Sequence, residues 1–272
     1  MKLLVALVLV AAAIAAPGCG PGRTAAATQP TPVAFDATKS DPKAVALADA
    51  VVANLGGAAA WDAVKQLKWD LKYTLDGQMK GWFRHAWDRW NGRHHFETID
   101  PASGESAYIA MYDIFDLDDR GWVGNAKGDA ALAAERDNKI KVARDRLKVD
   151  AYQLTMIHKL KDPGAILTLV GQVKDLGGMC KVPCDTIKLT FDPAVGTDTW
   201  YIEVNSETKM PEVIERQEGT GRVGFSLADW TTVAGVKLPT RMQNLGMASE
   251  VFQIEGIEIG DPDESLYVVP VR

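Results

Sequence analysis

Histidines are the residues of this chain best suited to acid–base or metal chemistry, and there are four of them. His94 and His95 are consecutive on a predicted strand, so their side chains point to opposite faces and cannot both bind one metal ion. His85 and His94 lie on facing predicted strands around the turn at Asn91-Gly92, but at unequal distances from it. This arrangement favours surface or cross-strand roles for all four, including His158, and leaves metal binding or general-base catalysis as the alternative.

Two cysteines could support redox or metal chemistry. Cys180 and Cys184 are separated by Lys181-Val182-Pro183, a spacing that permits a small-ring disulfide in an oxidising compartment. Two thiols without a nearby histidine make only half a zinc site, and a redox pair usually has Cys-x-x-Cys spacing at a helix start. We therefore predict a structural disulfide between Cys180 and Cys184, with free thiols and a redox or metal role as the alternatives.

The usual motifs of enzyme active sites are missing from the sequence. There is no Gly-x-Ser-x-Gly elbow, no phosphate-binding glycine loop with Lys-Ser/Thr and no His-Glu-x-x-His. Asp116, Asp118 and Asp119 cluster at a turn but lack the ligand spacing and terminal glutamate of a calcium loop. The net charge of −6 argues against sequence-independent binding of nucleic acid. We predict no enzyme activity, no metal and no cofactor, with a hydrolase built around the segment His85 to His95 as the minor alternative.

The amino terminus has the features of an export signal. Lys2 is followed by fourteen uninterrupted apolar residues, Leu3 to Ala16, whereas a transmembrane helix needs about 20. The following Pro17-Gly18-Cys19 resembles a bacterial lipobox, in which the cysteine is acylated and becomes the first mature residue. We predict a signal peptide over residues 1–18 and a lipid anchor on Cys19, followed by a flexible tether within residues 19–40. Cleavage near Ala16 without acylation is the alternative.

Two periodicities divide the rest of the chain into strands and helices. Alternation of apolar and polar residues, with hairpin turns such as Asp76-Gly77, predicts about eleven strands. Capping signals predict a first helix from Ser40-Asp41 to Gly56-Gly57. A short helix is predicted over 58–66, and one long or two consecutive helices within 129–160. The predicted strands are 67–75, 78–90, 93–99, 107–115, 166–174, 186–191, 199–204, 212–217, 223–230, 237–243 and 250–259.

So many antiparallel strands must close into a barrel, split into a sandwich or bury one face against other elements. The helices at the start and in the middle of the chain are the obvious cover for such a face. We therefore predict an α+β, mainly β fold in a single domain, 41–272. Its strongly curved antiparallel sheet would form an incomplete, half-open β-barrel covered by helices.

The predicted strands near the carboxy terminus carry a family resemblance. The segment Gly235-Val236-Lys237-Leu238-Pro239-Thr240-Arg241, preceded by Thr199 to Asn205 and Glu212 to Glu215, resembles strands of the LolA-like lipoprotein-carrier superfamily. The alanine-rich first helix and the segment Arg84 to Glu97 resemble exported, uncharacterised members of that group. The resemblance implies a half-open barrel plugged by helices, with an apolar lumen that takes up acyl chains or hydrophobic peptide segments.

Aromatic residues are the main candidates for contact with such a ligand. Five of the eight tryptophans fall between Trp61 and Trp90. Core packing explains them most simply, and a role in lining a ligand cavity is the alternative. The candidate ligand-binding residues are Trp69, Leu71, Tyr73, Phe83, Trp87, Met111, Leu147 and Leu154.

These features predict a function in binding rather than in catalysis. We expect a lipid-anchored protein of the bacterial cell envelope whose half-barrel binds a hydrophobic small molecule or the acyl chain of a lipid or lipoprotein. Gly20, which follows Cys19, is not acidic, and this favours the outer membrane, facing the periplasm. The alternative is a protein-interaction or envelope-sensor module that binds an extended segment of an envelope protein.

Overall fold

The computed structural model describes residues 35–116, 118 and 121–269 of the chain. The predicted signal peptide, the anchor residue Cys19 and most of the predicted tether lie outside the described residues. In the described part of the chain, no helix is long and apolar enough to cross a membrane. The α-helices are α1 (Pro42–Asn54), α2 (Ala58–Asp62) and α3 (Ala133–Thr155), and 3-10 helices cover Ala37–Lys39, Met156–His158 and Glu264–Tyr267.

Twelve strands form one antiparallel sheet, which stays open because β5 and β6 are its two edges. The strand order is β5-β4-β3-β2-β1-β12-β11-β10-β9-β8-β7-β6, so sheet neighbours are chain neighbours except where β1 pairs with β12. The predicted fold class is confirmed, with one strand more than expected. The extra strand, β5, has 3 residues, too few for alternation to reveal it. The strands are β1 (Gln66–Leu75), β2 (Gln78–Asp88), β3 (Arg93–Ile99), β4 (Ser106–Asp113), β5 (Trp122–Gly124), β6 (Ala165–Val173), β7 (Cys184–Phe191), β8 (Trp200–Asn205), β9 (Pro211–Glu218), β10 (Gly221–Val233), β11 (Val236–Asn244) and β12 (Glu250–Gly260).

Helix α3 shows how strongly the sheet bends. A flat sheet of twelve strands, spaced at about 4.8 Å, would be about 50 Å wide, whereas a helix of 23 residues is about 35 Å long. Yet α3 contacts β5 at one edge and β11 beyond the middle of the sheet. Leu154 of α3 also belongs to the same core cluster as Leu167 of β6, at the other edge. The sheet therefore curls around α3, and we call the face that packs against this helix the concave face.

The main hydrophobic core lies between the concave face and the helices. The helical core residues recur every three or four positions, so each helix presents one apolar side to the sheet. Burial stabilises the fold by about 1.5–3 kcal/mol for each fully buried leucine. The helical members of the core are Ala44, Leu47, Ala48 and Val51 of α1, Trp61 of α2, Leu147, Ala151 and Leu154 of α3, and Met156 and Ile157 of the 3-10 helix after it.

The two ends of α1 explain local features of the sequence. Asp41 caps the helix by accepting a hydrogen bond from the Lys43 backbone N–H at 2.8 Å, with Pro42 in the first turn. Beyond the other end, Gly56 has a φ of 109°, a conformation that favours glycine. A Cβ atom at Gly56 would lie 1.9 Å from the carbonyl oxygen of Gly235. The close approach of α1 to the β10–β11 turn therefore requires glycine here.

Candidate functional site

The second half of α3 leaves part of the hollow of the sheet unfilled. Between this half and strands β8 to β12 lies a cavity of about 320 Å³, which we call the helix–sheet cavity. Small-molecule pockets occupy roughly 300–1,000 Å³, so this cavity is at the lower end of the range. Val149, Tyr152 and Gln153 form its helix wall. The sheet contributes Trp200, Arg216, Glu218, Val223, Phe225, Asn244, Glu250 and Phe252.

A second cavity, of about 280 Å³, shares lining residues with the first, and we call it the adjoining cavity. Tyr152 and Trp200 line both cavities. Their rings meet edge to face, with centroids 6.1 Å apart. Met156, Phe191 and Val195 are among the other residues that line the adjoining cavity. Two aromatic side chains thus lie where the two cavities meet.

The helix–sheet cavity combines an apolar lining with paired charges. Phe225 and Phe252 pack edge to face within it, with ring centroids 5.5 Å apart. Arg216 forms an ion pair with Glu218 and lies 6.0 Å from the ring of Trp200. Transfer of an apolar ligand from water to such a lining lowers the free energy of the system. The arrangement is therefore suited to a hydrophobic chain that passes between charged residues.

Two buried polar atoms of the cavity residues have no hydrogen-bond partner within the described part of the chain. They are Oε1 of Gln153 and Nε1 of Trp200, in residues that are 5% and 4% exposed. A buried polar atom left unpaired costs about 1–3 kcal/mol. The indole N–H groups of Trp61 and Trp69 are also unpaired, but these residues line neither cavity.

Most of the predicted ligand-binding residues lie in the core. Trp69, Leu71, Leu147 and Leu154 are buried in the main cluster, and Trp87 packs against it, partly buried. None of these five residues lines the helix–sheet cavity or the adjoining cavity. Their contact with a ligand stays a prediction, and the observed role is packing.

The other three predicted residues are spread over both faces of the sheet. Tyr73 comes closest to the helix–sheet cavity, because its ring stacks on Phe252 with centroids 5.1 Å apart. Phe83 packs against the core and is partly buried. Met111 pairs across the strands with His95 and so lies on the convex face, away from α3.

Sequence reasoning missed the residues that line the helix–sheet cavity. Trp200 and Phe252 occupy inward positions of their strands, and Tyr152 follows Val149 by three positions along α3. These spacings indicate burial, but the same spacings describe core residues. A cavity depends on which side chains fail to fill the space between two elements, and the sequence pattern carries no such signal.

A chain of buried polar side chains links the sheet to the second half of α3. The Tyr112 hydroxyl lies 2.8 Å from Nδ1 of His94, and Nε2 of His94 lies 3.1 Å from Nδ1 of His85. Nε2 of His85 lies 3.1 Å from Oδ2 of Asp150, which forms an ion pair with Arg146. His85, His94 and Asp150 are fully buried. We call these five residues the polar chain.

The two histidines of the polar chain meet diagonally across their strands. His94 pairs directly with Trp87, in agreement with the unequal distances from the turn. Diagonal neighbours are about 7–8 Å apart, within reach of aromatic rings. The cross-strand interaction is therefore as expected, but it lies in the core rather than at the surface. The carboxylate that the sequence could not place is Asp150 of α3.

The hydrogen bonds of the polar chain run in one direction. Burial lowers the pKa of His85 and holds the pKa of His94 well below its ordinary value, so both rings are neutral at neutral pH. Because the carboxylate of Asp150 accepts, His85 carries its proton on Nε2 and accepts from Nε2 of His94. The Tyr112 hydroxyl then donates to Nδ1 of His94.

His95 lies on the opposite face of β3 from His94, as its neighbouring position predicts. Its Nδ1 lies 2.6 Å from the carbonyl oxygen of Leu266, and its Nε2 lies 2.9 Å from Oε1 of Glu97. His95 thereby connects the 3-10 helix Glu264–Tyr267 to the convex face. The adjacent histidines serve two separate networks.

Cys180 and Cys184 form the predicted disulfide, with Cα atoms 5.4 Å apart. Both cysteines are fully buried. Glu212 accepts a hydrogen bond from the Cys180 backbone N–H. Redox exchange needs an accessible thiolate, so this burial favours a structural role.

No protein-family model matches the sequence, and no curated protein matches it. Among solved structures, the chain is similar to a DUF1329 family protein from Desulfovibrio piger, with 12% identity and a TM-score of 0.40 over 84% of this chain and 98% of that one. It is also similar to a Vibrio parahaemolyticus domain provisionally assigned as an outer membrane lipoprotein-sorting protein, with 10% identity and a TM-score of 0.45 over 82% of this chain and 96% of that one.

A third similar structure is a Pseudomonas aeruginosa MucA/MucB complex, with 14% identity and a TM-score of 0.25 over 80% of this chain and 60% of that one. The fold expected from the sequence resemblance is thus among the structural neighbours. Identities of 10–14% do not establish a shared function.

Proposed function

We propose that the protein binds an extended hydrophobic ligand, such as the acyl chain of a lipid or lipoprotein, without covalent chemistry. The observation that carries this proposal is the helix–sheet cavity, in which Phe225 and Phe252 face α3 across unfilled space. The residues best suited to catalysis, His85 and His94, line neither this cavity nor the adjoining one, and His85 borders a separate cavity of about 290 Å³ together with His95 and Glu97. Binding therefore accounts for the site better than hydrolysis.

The expected affinity is moderate. Twelve buried methylenes contribute about 10 kcal/mol at about 0.8 kcal/mol each. Association costs at least about 4 kcal/mol, which leaves about 6 kcal/mol, or a dissociation constant of tens of micromolar. Binding assays therefore need probe concentrations in the micromolar range.

Titration with a neutral fluorescent acyl ester tests the proposal. Val149 lines the helix–sheet cavity and is 37% exposed, so Val149→Trp adds bulk at the cavity without disturbing the core. We expect this substitution to weaken binding about tenfold, equivalent to about 1.4 kcal/mol. Val142, two turns away on α3 and 39% exposed, lines neither cavity, so Val142→Trp is the matched control. Equal affinities of the two variants, or no binding by the wild type, would disprove the proposal.

The same proposal places the protein at the bacterial outer membrane, facing the periplasm, through acylation of Cys19. Incorporation of labelled palmitate in growing cells tests this part. We expect Cys19→Ala to abolish labelling, whereas Cys180→Ala/Cys184→Ala should retain it, because these cysteines form a disulfide. Labelling that persists in Cys19→Ala would contradict the anchor.

A second candidate function is the binding of an extended partner segment along the part of edge strand β6 after Leu167, whose own N–H and C=O are bonded to Ser40 and Asp41. Val170 of this strand is 53% exposed, and β6 has no strand beyond it in the described sheet. Strand addition at such an edge is a common mode of peptide recognition. Co-purification of a stoichiometric envelope protein without bound lipid would favour this function over ligand binding.

A further inference from the structure

The polar chain and the helix–sheet cavity share helix α3. Asp150 directly follows Val149, which lines the cavity, and Arg146 lies one helical turn before Asp150. Tyr152 and Gln153 complete the wall within the same turn as Asp150. Because α3 is one continuous helix, a displacement at Asp150 also moves the wall of the cavity.

An additional proton disturbs the polar chain, because each ring nitrogen of His85 and His94 already takes part in a hydrogen bond. A proton on Nδ1 of His85 would face the N–H of His94 Nε2, with two donors 3.1 Å apart. A proton on Nδ1 of His94 would face the Tyr112 hydroxyl at 2.8 Å, which would then have to stop donating. Protonation therefore either brings two donors together or reverses the bonds as far as Tyr112, whose hydroxyl proton loses its acceptor, and in both cases it adds a buried charge. If α3 moves away, water can solvate the charged rings.

We infer that the polar chain is a proton-sensitive latch, which holds α3 against the sheet at neutral pH and releases the helix, with the cavity wall, on acidification. The consequence that bound ligand is then released rests on the proposed function. The latch itself depends only on the hydrogen bonds of the five residues.

The charges around the latch support this direction of response. Burial is the largest influence on both imidazoles and lowers their pKa values. Arg146 also lowers the pKa of His85, and Arg144 and His95 also lower the pKa of His94. Asp150 and Asp70 of β1 raise the pKa of His85, but the net shift stays downward. The open state therefore binds more protons than the closed state, and acid favours opening.

Hydrogen–deuterium exchange of the full chain without ligand tests the latch directly. We expect the protection factors of the α3 amides to fall below pH 6.5, by up to about tenfold per pH unit for each histidine that gains a proton. Strands β7 and β8 lie far from β2 and β3 in the sheet order and provide the reference. Protection of α3 that is constant with pH, or that falls only together with β7 and β8, would overturn the latch.

Variants distinguish the latch from general acid sensitivity. His85→Gln/His94→Gln removes both titratable rings of the latch, so the protection of α3 relative to β7 and β8 should lose its pH dependence, whereas acid destabilisation of the whole fold through His158 lowers the protection of both. His95→Gln, on the other face of the same strand, should retain it. If the double variant does not fold, nitrogen NMR of the wild-type rings replaces it. We expect Nε2–H tautomers at neutral pH and ring protonation only as α3 opens; protonated rings with α3 still protected would overturn the latch.

Binding of the neutral acyl ester at pH 7.5 and pH 5.0 tests the link to the cavity. We expect affinity to be about tenfold lower at pH 5.0, since opening removes the helix wall. Absence of binding at both values, with the expected exchange behaviour, would refute the proposed function and leave the latch in place. Binding that is independent of pH while α3 opens would refute ligand release by the latch.

Discussion

The two halves of helix α3 pack differently against the same sheet. In the first half, Ile140 and Ala143 join Phe96, Tyr112 and Val123 in a second buried cluster. In the second half, Val149, Tyr152 and Gln153 border cavities, although Leu147, Ala151 and Leu154 pack in the main core. One helix thus packs closely on the sheet at one end and forms the wall of a cavity at the other. The polar chain joins the sheet to the second half, through Arg146 and Asp150 beside the cavity wall.

The strongest way to disrupt this difference is to remove Asp150. Asp150→Ala leaves the N–H of His85 and the guanidinium of Arg146 without their buried acceptor. We expect the free energy of unfolding to fall by about 3–5 kcal/mol, as measured by urea denaturation. Asp145→Ala is the matched control, because Asp145 is an exposed member of the same helix and should change stability by less than about 0.5 kcal/mol. Similar losses in both variants would show that the polar chain contributes nothing specific.

His158, just beyond the carboxy-terminal end of α3, gives a separate prediction about the pH dependence of stability. Burial lowers the pKa of His158, in the 3-10 helix after α3, to about 4. Because the folded-state pKa lies below the unfolded value of about 6.5, His158 contributes stability above pH 6.5 that is lost as the pH falls toward 4. We expect His158→Gln to reduce the loss of unfolding free energy between pH 7 and pH 4 by roughly 3 kcal/mol. Identical pH profiles for the variant and the wild type would contradict this.

The disulfide, at the start of β7, tests the comparison from the half of the sheet that borders the cavities. Cys180→Ala/Cys184→Ala opens a loop of sequence separation 4 just before β7. Loop-closure entropy predicts a loss of about 2 kcal/mol in the free energy of unfolding. Exchange of the α3 amides should stay unchanged, because the disulfide is remote from the polar chain in sheet order. Wild type treated with a reductant should match the variant; a larger loss in either case would indicate that the loop supports the cavity.

The fold was largely predictable because its signals are local and repeated. Alternation along β1 and the turn at Asp76-Gly77 specify a hairpin without reference to the rest of the chain. The capping residue Asp41 and the glycine pair after α1 place the first helix closely. The long helix was expected within 129–160 and is found as α3 followed by a 3-10 turn.

The candidate site was not predictable for a physical reason. Asp150 is far from His85 in the sequence, and only the curl of the sheet brings them within hydrogen-bond distance. A helix carrying aspartate and arginine four residues apart normally indicates an exposed ion pair. Likewise, Met111 belongs to an apolar strand pattern, but the register of β4 places it on the convex face. The face of the sheet on which a side chain lies, and the residue that it contacts, depend on long-range strand pairing, which periodicity does not specify.

The pairing of β1 with β12 has a consequence for biosynthesis. Leu75, early in the chain, pairs with Glu250, near its end. Contacts between such distant positions form late and slowly. Until translation has supplied β12, the edge of β1 is unpaired and open to strands of other molecules. A nascent or truncated chain is therefore exposed to aggregation at this edge, and a carboxy-terminal deletion that removes β12 should harm folding of the amino-terminal strands as well.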